Sequence, residues 1–540
     1  MKIGEYLIQA VQDAGAGHVF GIQGDYVLKF YEMLYNSPLK LINTTDEASA
    51  GFAADAYSRI KGFGAVCVTY GVGGLNLVNS IAEAYAELSP VLVISGAPGV
   101  MERMEGASLH HKVHDFDFQL KIFSEITIAH AVINDAGTAS DEINRVIYAV
   151  KKHKKPGYIE LPRDMVLVEA EAPHKTFYDD DMRDDKALDE CLKEALYMTG
   201  KAQRPVIAAG VEIHRYGLEK EVLALIEKSG FPFFSGVLGK SVISEKHPQF
   251  IGVYSGGMSS DYVREIISKA DCFLLLGPMI TDFSTGMFTS DIEVSRSITV
   301  NEGMVSISRH TYRNIGMKEF IKRLTAEWER PKPVLDIQWR EPFREFIPAT
   351  GEKISVKRLF ECIDGFIGDD DIVVAEAGDA MFGSLDLCIH GSTEYISPAF
   401  YASLGFAVPA SVGVQMASPG RCAIVLTGDG GFQFNAMMLS VSVKYGLNPI
   451  VIVLNNNGYG LFRPLADGGF NDIPDWNYAE IPKVIGSGLG FKVATEIDLV
   501  LALDKARKNT SSPTIIDVRI DRNDISDTTK RLLDRLKKRV

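Results

Sequence analysis

Residues 423–458 read AIVLTGDGGFQFNAMMLSVSVKYGLNPIVIVLNNNG, and their pattern decides the fold. The apolar run 423–426 has the length of a buried strand, and the run 450–454 is a second one. Between them, residues 435–445 carry the length and apolar spacing of a helix, closed by Gly446. Strand, helix and strand make a βαβ unit, so the two strands should be parallel neighbours joined by a right-handed crossover. The loops that follow them then sit side by side at the carboxyl ends of the strands, where open α/β sheets bind ligands.

Those two loops are rich in hard oxygen donors. Asp429 offers a carboxylate, Asn456 an amide oxygen and Gly458 a backbone carbonyl. A small set of this kind suits Mg²⁺ that keeps a water and takes two phosphate oxygens. Gly428 and Gly430, on either side of Asp429 and followed by Gly431, let a diphosphate come close to the backbone, and a helix N-terminus after them favours an anion. A tight turn that happens to contain Gly-Asp-Gly is the ordinary alternative. The Asn455-Asn456 element, placed so that Asn456 follows Asp429 by 27 residues with one helix and one strand between, argues against it. No Gly-Lys-Ser/Thr follows and the glycine spacing is not that of a dinucleotide fingerprint.

The rest of the chain sets bounds. At 540 residues it should hold three or four domains, and 46% hydrophobic residues supply several cores. No apolar run approaches the ~18 residues of a membrane span, and the start, MKIGEYLIQAVQDAG, reads as a first helix rather than a signal peptide. Six scattered cysteines without metal or disulfide spacing suit a cytoplasmic, reducing setting. A net charge of −14 argues against nucleic acid as a partner.

Two stretches read as linkers: the charged 169–187 and the proline-bearing 330–352. They divide the chain into 1–170, 188–330 and 353–540, each alternating β-rich runs with helical patterns, so each is expected to be α/β with a doubly wound, mostly parallel sheet. The first and third pieces look related. VTYGVGGLNLVNSIAEAYAELSPVLVIS from Val68 matches VLTGDGGFQFNAMMLSVSVKYGLNPIVIVL from Val425 in its order of strand, Gly-x-Gly-Gly, helix, proline and strand. Val72 stands where the later copy has Asp429, as if one copy of a duplication had kept the metal ligand. The middle piece has strands at 205–209 and 272–276 but no Gly-x-Gly-x-x-Gly, so nothing assigns it NAD or FAD.

Gly-Asp-Gly followed by Asn-Asn at this spacing resembles the signature of thiamin diphosphate (ThDP) enzymes. The resemblance extends along the chain, to the 2-oxo acid decarboxylases of the pyruvate and indolepyruvate type. It comes nearest to phenylpyruvate decarboxylases, in VFGIQGD, GFAADA, VTYG, VISGAPG, VEIHRYGLE and YASLGFAVPA. It implies that residues 1–170 bind the aminopyrimidine ring, that 353–540 bind the diphosphate through Mg²⁺, and that 188–330 form a central domain. The cofactor would then lie between two subunits of a homodimer or homotetramer.

The resemblance also implies roles for particular residues. Glu47, in TTDEASAGFAADA, matches the glutamate that pairs with the pyrimidine ring and activates the cofactor; otherwise it is a first-turn glutamate beside a Thr45/Asp46 cap. Asp25 and the pair His110-His111 match positions used for proton transfer, a task suited to histidine near neutral pH. Asp379 lies 25 residues before Leu404, which lies 25 before Asp429. Asp379 would lie near the diphosphate, Leu404 would bend the cofactor, and the Ala402 carbonyl would accept from its amino group. Tyr459, Gly460 and Leu461 would line the same site.

Two departures bear on substrate. Phe462 stands where pyruvate decarboxylases carry a glutamate, and Gln23 where proline is usual before Gly24-Asp25. Phe462 favours an aryl or branched 2-oxo acid over pyruvate. The expected activity is decarboxylation to an aldehyde and CO₂. A carboligase, with a second carbonyl in place of the proton, is the alternative that the loss of the glutamate leaves open.

Overall fold

The computed structural model describes residues 1–174, 184–329 and 346–536, so most of both expected linkers lies outside the described residues. The helix Asp185–Lys201 begins within the stretch read as the first linker, capped by the Asp184 side chain on the Ala187 amide. Three sheets organise the chain, with strands in 18–162, 205–315 and 372–519. The first and third sheets have six strands each, all parallel, and counted along the chain both follow the order 2-1-3-4-6-5. An identical order in two sheets with related βαβ sequences supports the duplication.

The seven-stranded middle sheet is parallel over five strands. An antiparallel hairpin, Gly303–Ile307 and His310–Ile315, extends one edge. Its outer strand is largely exposed, as an edge strand that needs only one buried face can be.

The βαβ unit read from 423–458 is present. Strands Ala423–Gly428 and Ile450–Asn455 are adjacent and parallel. The helical segment starts earlier than expected, at Asp429 rather than 435. It runs as Asp429–Asn435, a 3₁₀ turn Ala436–Met438, and Leu439–Tyr445 ended by Gly446 at φ +66°. Two glycines at its start are poor helix formers. The turn is held instead by contacts with the next loop, described below.

Within one chain, the first and third domains meet through helices Glu47–Lys61 and Ala407–Ala417. Their facing residues are small, Ala50, Ala53 and Ala54 against Ala407, Ala410 and Gly413, so the backbones come close. A Cβ on Gly413 would lie 2.1 Å from the Ala53 carbonyl oxygen. Gly413→Val is therefore expected to destabilise the protein by about 1–3 kcal/mol, the cost of overpacking against an oxygen that cannot step aside. A melting temperature equal to wild type would contradict this packing. At the same junction the buried Arg59 pairs with Asp55 and Glu87 and donates to the Ser397 carbonyl. No disulfide joins any of the six cysteines among the described residues, and no described helix is long and apolar enough to cross a membrane.

Candidate active site

The two loops of the βαβ unit close on one another. Asp429 is buried, and its two carboxylate oxygens accept from the amides of Gly430 at 2.8 Å and Gly458 at 3.0 Å. The Gly458 carbonyl accepts from the Gly460 amide. The two asparagines divide their roles. Asn455 is tied down, its amide donating to Asp517 at 2.8 Å, whereas the Asn456 Oδ1 is buried with no hydrogen-bond partner. Burial pushes the Asp429 carboxyl up to about 6, the backbone donors opposing it, and no cation pairs with it among the described residues.

This arrangement lacks a positive charge. A buried carboxylate and an orphaned amide oxygen are a pair that a divalent ion satisfies. Mg²⁺ thus fits this donor set on the structure alone. Glycine is required at 430 and 431 by the protein itself: a Cβ there would meet the Tyr459 ring at 2.6 Å and Glu376 at 2.7 Å. At Gly428 a Cβ would meet nothing, which leaves open space beside the turn.

The pocket over these loops has a volume of about 430 Å³, within the range of small-molecule sites. Every residue expected in the third domain lines it: Asp379, Ala402, Leu404, Asp429, Gly430, Gly431, Asn456, Gly458, Tyr459, Gly460, Leu461 and Phe462. Asp379 accepts from the Ser526 amide at 3.0 Å and from the Thr529 hydroxyl at 2.6 Å, and burial raises its carboxyl. Ala402 adopts φ +60°, a left-handed conformation costing a non-glycine residue on the order of 1–2 kcal/mol. It is held from outside: Glu87 accepts from the amides of Phe400 and Tyr401 just before it.

Sequence reasoning missed several residues here. Glu376 is wholly buried, pushed up to about 7 by burial, and accepts from the Ala407 amide after the Ala402–Leu404 turn. Arg463 binds the carbonyls of Asn457 and Asn471 and the carboxylates of Asp467 and Asp472, ordering the loop after Asn456. Phe283 and Met287 reach this pocket from the middle domain. None has a local signal; each works through partners distant in sequence or space.

The first-domain residues form a second group, and none of them lines that pocket. Glu47 opens its helix, but Asp46 performs the capping, accepting from the Ser49 amide at 2.8 Å. Glu47 instead accepts from Asn76 at 2.8 Å, beside the Gly71–Gly74 loop that repeats the Asp429 turn. His110 Nε2 and Asp25 Oδ2 lie 2.7 Å apart. His111 adopts φ +67°, and its Nδ1 is buried without a partner. Acceptor groups on Asp25, His110 and His111 all fall within 4.8 Å of one another. Tyr26 supports them: its ring stacks on His110 at 4.9 Å and its hydroxyl donates to the His110 carbonyl at 3.1 Å. Beneath the loop, Gln119 accepts from the Gly71 amide and donates to Ser95 and Tyr158. Gln23 is exposed and accepts from Asn43.

Comparison with known proteins places these features in context. The chain matches the thiamine pyrophosphate enzyme N-terminal TPP binding domain over residues 1–120, the central domain over 192–327 and the C-terminal TPP binding domain over 373–518. It is 33% identical to the indole-3-pyruvate decarboxylase of Azospirillum brasilense, across 99% of this chain and 98% of that protein. It is 30% identical to an alpha-keto-acid decarboxylase of Mycolicibacterium paratuberculosis, covering 97% and 94%. It is 32% identical to pyruvate decarboxylase 1 of Pisum sativum, covering 93% and 88%.

Proposed function

Because the chain belongs to the thiamin diphosphate-dependent 2-oxo acid decarboxylases, we propose that it takes an aryl or branched-chain 2-oxo acid, uses Mg²⁺, and works as a homo-oligomer. The observation that carries the substrate reading is the wall of the pocket. Phe462, 54% exposed toward solvent, stands with Phe283, Met287, Leu461 and Leu465 around the space above Asp429. Aromatic and aliphatic surface of this kind returns free energy when it covers a large side chain and little when it meets the methyl group of pyruvate.

In this reading Asp429, Asn456 and the Gly458 carbonyl would hold Mg²⁺, whose charge would offset that of the cofactor's diphosphate. Asp379, Gly430, Gly431, Tyr459 and Gly460 close around that end, while Leu404 and the Ala402 carbonyl position the other. Thiamin diphosphate, when bound, supplies the electron sink for the pair released with CO₂. Glu47 holds the pyrimidine end and sets its protonation. The apolar wall disfavours the substrate carboxylate relative to its uncharged product. Asp25, His110 and His111 carry the proton that the product carbon requires, and Gln23 borders their approach. A hydrogen-bonded acid and imidazole pair favours protonation over a second carbonyl as the trap.

Glu47 and the His pair do not line the pocket of their own chain, which supports an arrangement in which a second copy brings residues 1–170 of one chain against 353–540 of another. Large apolar side chains left exposed beside both groups, Val72 next to the first loop and Phe434 and Met437 beyond Asp429, support that face-to-face pairing.

CO₂ and aldehyde release from phenylpyruvate, indolepyruvate, 2-oxoisovalerate and pyruvate, measured side by side, test the reading. Phenylpyruvate is expected to exceed pyruvate in kcat/KM by at least ~10-fold, roughly the discrimination a hydrophobic pocket achieves. A higher value for pyruvate sinks the substrate assignment. CO₂ without matching aldehyde would indicate carboligation.

A further inference from the structure

The segment that carries Phe283 and Met287 into the active pocket has a second cavity on its other side. This cavity, about 140 Å³, lies in the middle domain at the carboxyl ends of the neighbouring strands Pro205–Ala209 and Cys272–Leu276. From the first of these strands the chain turns toward one edge of the sheet, and from the second toward the other. That is the topological switch point, where open α/β sheets receive ligands. The cavity's walls are apolar, with Ala208, Phe234, Leu275 and Ile280, or hydroxyl-bearing, with Thr281 and Ser284. No charged side chain among the described residues lines it.

Volume and charge together select an occupant. A cavity of about 150 Å³ with apolar walls holds a benzene ring. A carboxylate brought in with that ring would be desolvated with no cation to meet it, a cost far beyond what the ring returns. An aromatic 2-oxo acid is therefore excluded, and the same molecule without its carboxylate is admitted. We propose that this cavity is a second site for the neutral aromatic aldehyde released by the enzyme, and that residues 278–288 transmit its occupancy to the active pocket. The proposal rests on the aryl 2-oxo acid decarboxylase reading.

The wall between the two spaces is suited to transmission. Thr281 and Ser284 exchange hydrogen bonds, the Thr281 amide to Ser284 Oγ at 2.7 Å and the Ser284 amide to Thr281 Oγ1 at 3.0 Å. Thr285 Oγ1 donates to the Thr281 carbonyl at 2.6 Å. Thr281, Ser284 and Thr285 of this turn line the cavity. On the opposite side, Phe283 meets Phe382 of the third domain edge-on at 5.6 Å. Gly286, Met287 and Phe288 then follow one another at φ +58°, +57° and +60°. Two successive non-glycine residues in the left-handed region persist only where their surroundings hold them. A ligand bearing on Thr281–Thr285 thus acts on a strained element whose other face forms the active pocket.

Phenylacetaldehyde is the probe. With phenylpyruvate as substrate, added phenylacetaldehyde is expected to lower kcat at least twofold as well as to raise KM. Ile280→Trp, at an exposed position on the cavity rim, should block entry, leave turnover without added aldehyde within twofold, and convert the inhibition to a purely competitive one. Ala208→Leu, which fills the cavity from its floor, should do the same; if it fails to fold, the rim variant decides. Purely competitive inhibition of the wild type, or mixed inhibition unchanged by Ile280→Trp, overturns the proposal. Equilibrium dialysis of the cofactor-free protein separates this from a failure of the substrate reading. Retained phenylacetaldehyde that excess phenylpyruvate does not displace and Ile280→Trp abolishes supports the site even if no aryl 2-oxo acid is turned over. Displacement by phenylpyruvate, or retention unaltered in the variant, refutes it.

Discussion

Glu47→Gln is expected to lower aldehyde release by ~10²–10⁴-fold, the range spanned by positioned acid–base groups, while leaving the fold and cofactor binding nearly intact. The structure explains why the loss should be confined to chemistry. The helix that Glu47 opens is capped by Asp46, whose carboxylate takes the Ser49 amide and hydroxyl. Removing the Glu47 charge therefore leaves the cap in place. The Asn76 amide that donates to Glu47 finds a carbonyl oxygen at the same position in glutamine. Under the proposed role, only the ability to exchange a proton with the cofactor is lost. Melting temperature and cofactor retention should stay close to wild type, measured by thermal unfolding and equilibrium dialysis with thiamin diphosphate and Mg²⁺. Turnover within about threefold of wild type would return Glu47 to the role of an ordinary first-turn residue.

The parts of this site that were legible in the sequence are those written in local patterns. Buried parallel strands read as continuous apolar runs, so 423–426 and 450–454 stood out, and the loops between them were marked by glycine and asparagine. The early helical turn at Asp429–Asn435 was not legible, because Gly430 and Gly431 oppose helix and the turn is held by Gly458, 29 residues on. The hairpin at the edge of the middle sheet was missed for a similar reason. Its half-exposed strands give a weak alternation that a chain of parallel βα units does not lead one to expect. Glu376, Gln119 and Tyr26 act through backbone groups or hydroxyls far away in sequence, as Gln119 does through Tyr158, 39 residues later. Met287 and Phe283 enter the pocket from another domain on a left-handed backbone, which no propensity announces.

Asp429→Asn is expected to reduce affinity for Mg²⁺ and the diphosphate cofactor by at least ~100-fold, exceeding the 10–100-fold that loss of an outer-shell partner costs a metal site. The pH dependence gives the assignment a sharper test. Burial raises the Asp429 carboxyl from 3.8 to about 6 in the cofactor-free protein. A raised carboxyl contributes stability that is full below its ordinary pKa and lost as pH climbs through the folded value. Between pH 4 and 6 the cofactor-free protein should therefore lose on the order of 2 kcal/mol, the larger part of about two pKa units at 1.36 kcal/mol each. Under the proposed assignment Mg²⁺ would reverse the sign, since it would bind the ionised carboxylate and displace the proton. Apparent Mg²⁺ affinity in the presence of cofactor should rise with pH up to about 6 and then level. Below that pH, close to one proton should be released per ion bound, beyond any taken from the cofactor's own phosphate. Calorimetric titration in buffers of different ionisation enthalpy reads that proton directly, and a control titration of cofactor alone subtracts the phosphate. Proton release that persists unchanged in Asp429→Asn, or Mg²⁺ affinity that does not fall in that variant, would assign the ion to other ligands and leave the buried Asp429 and the orphaned Asn456 oxygen without an explanation.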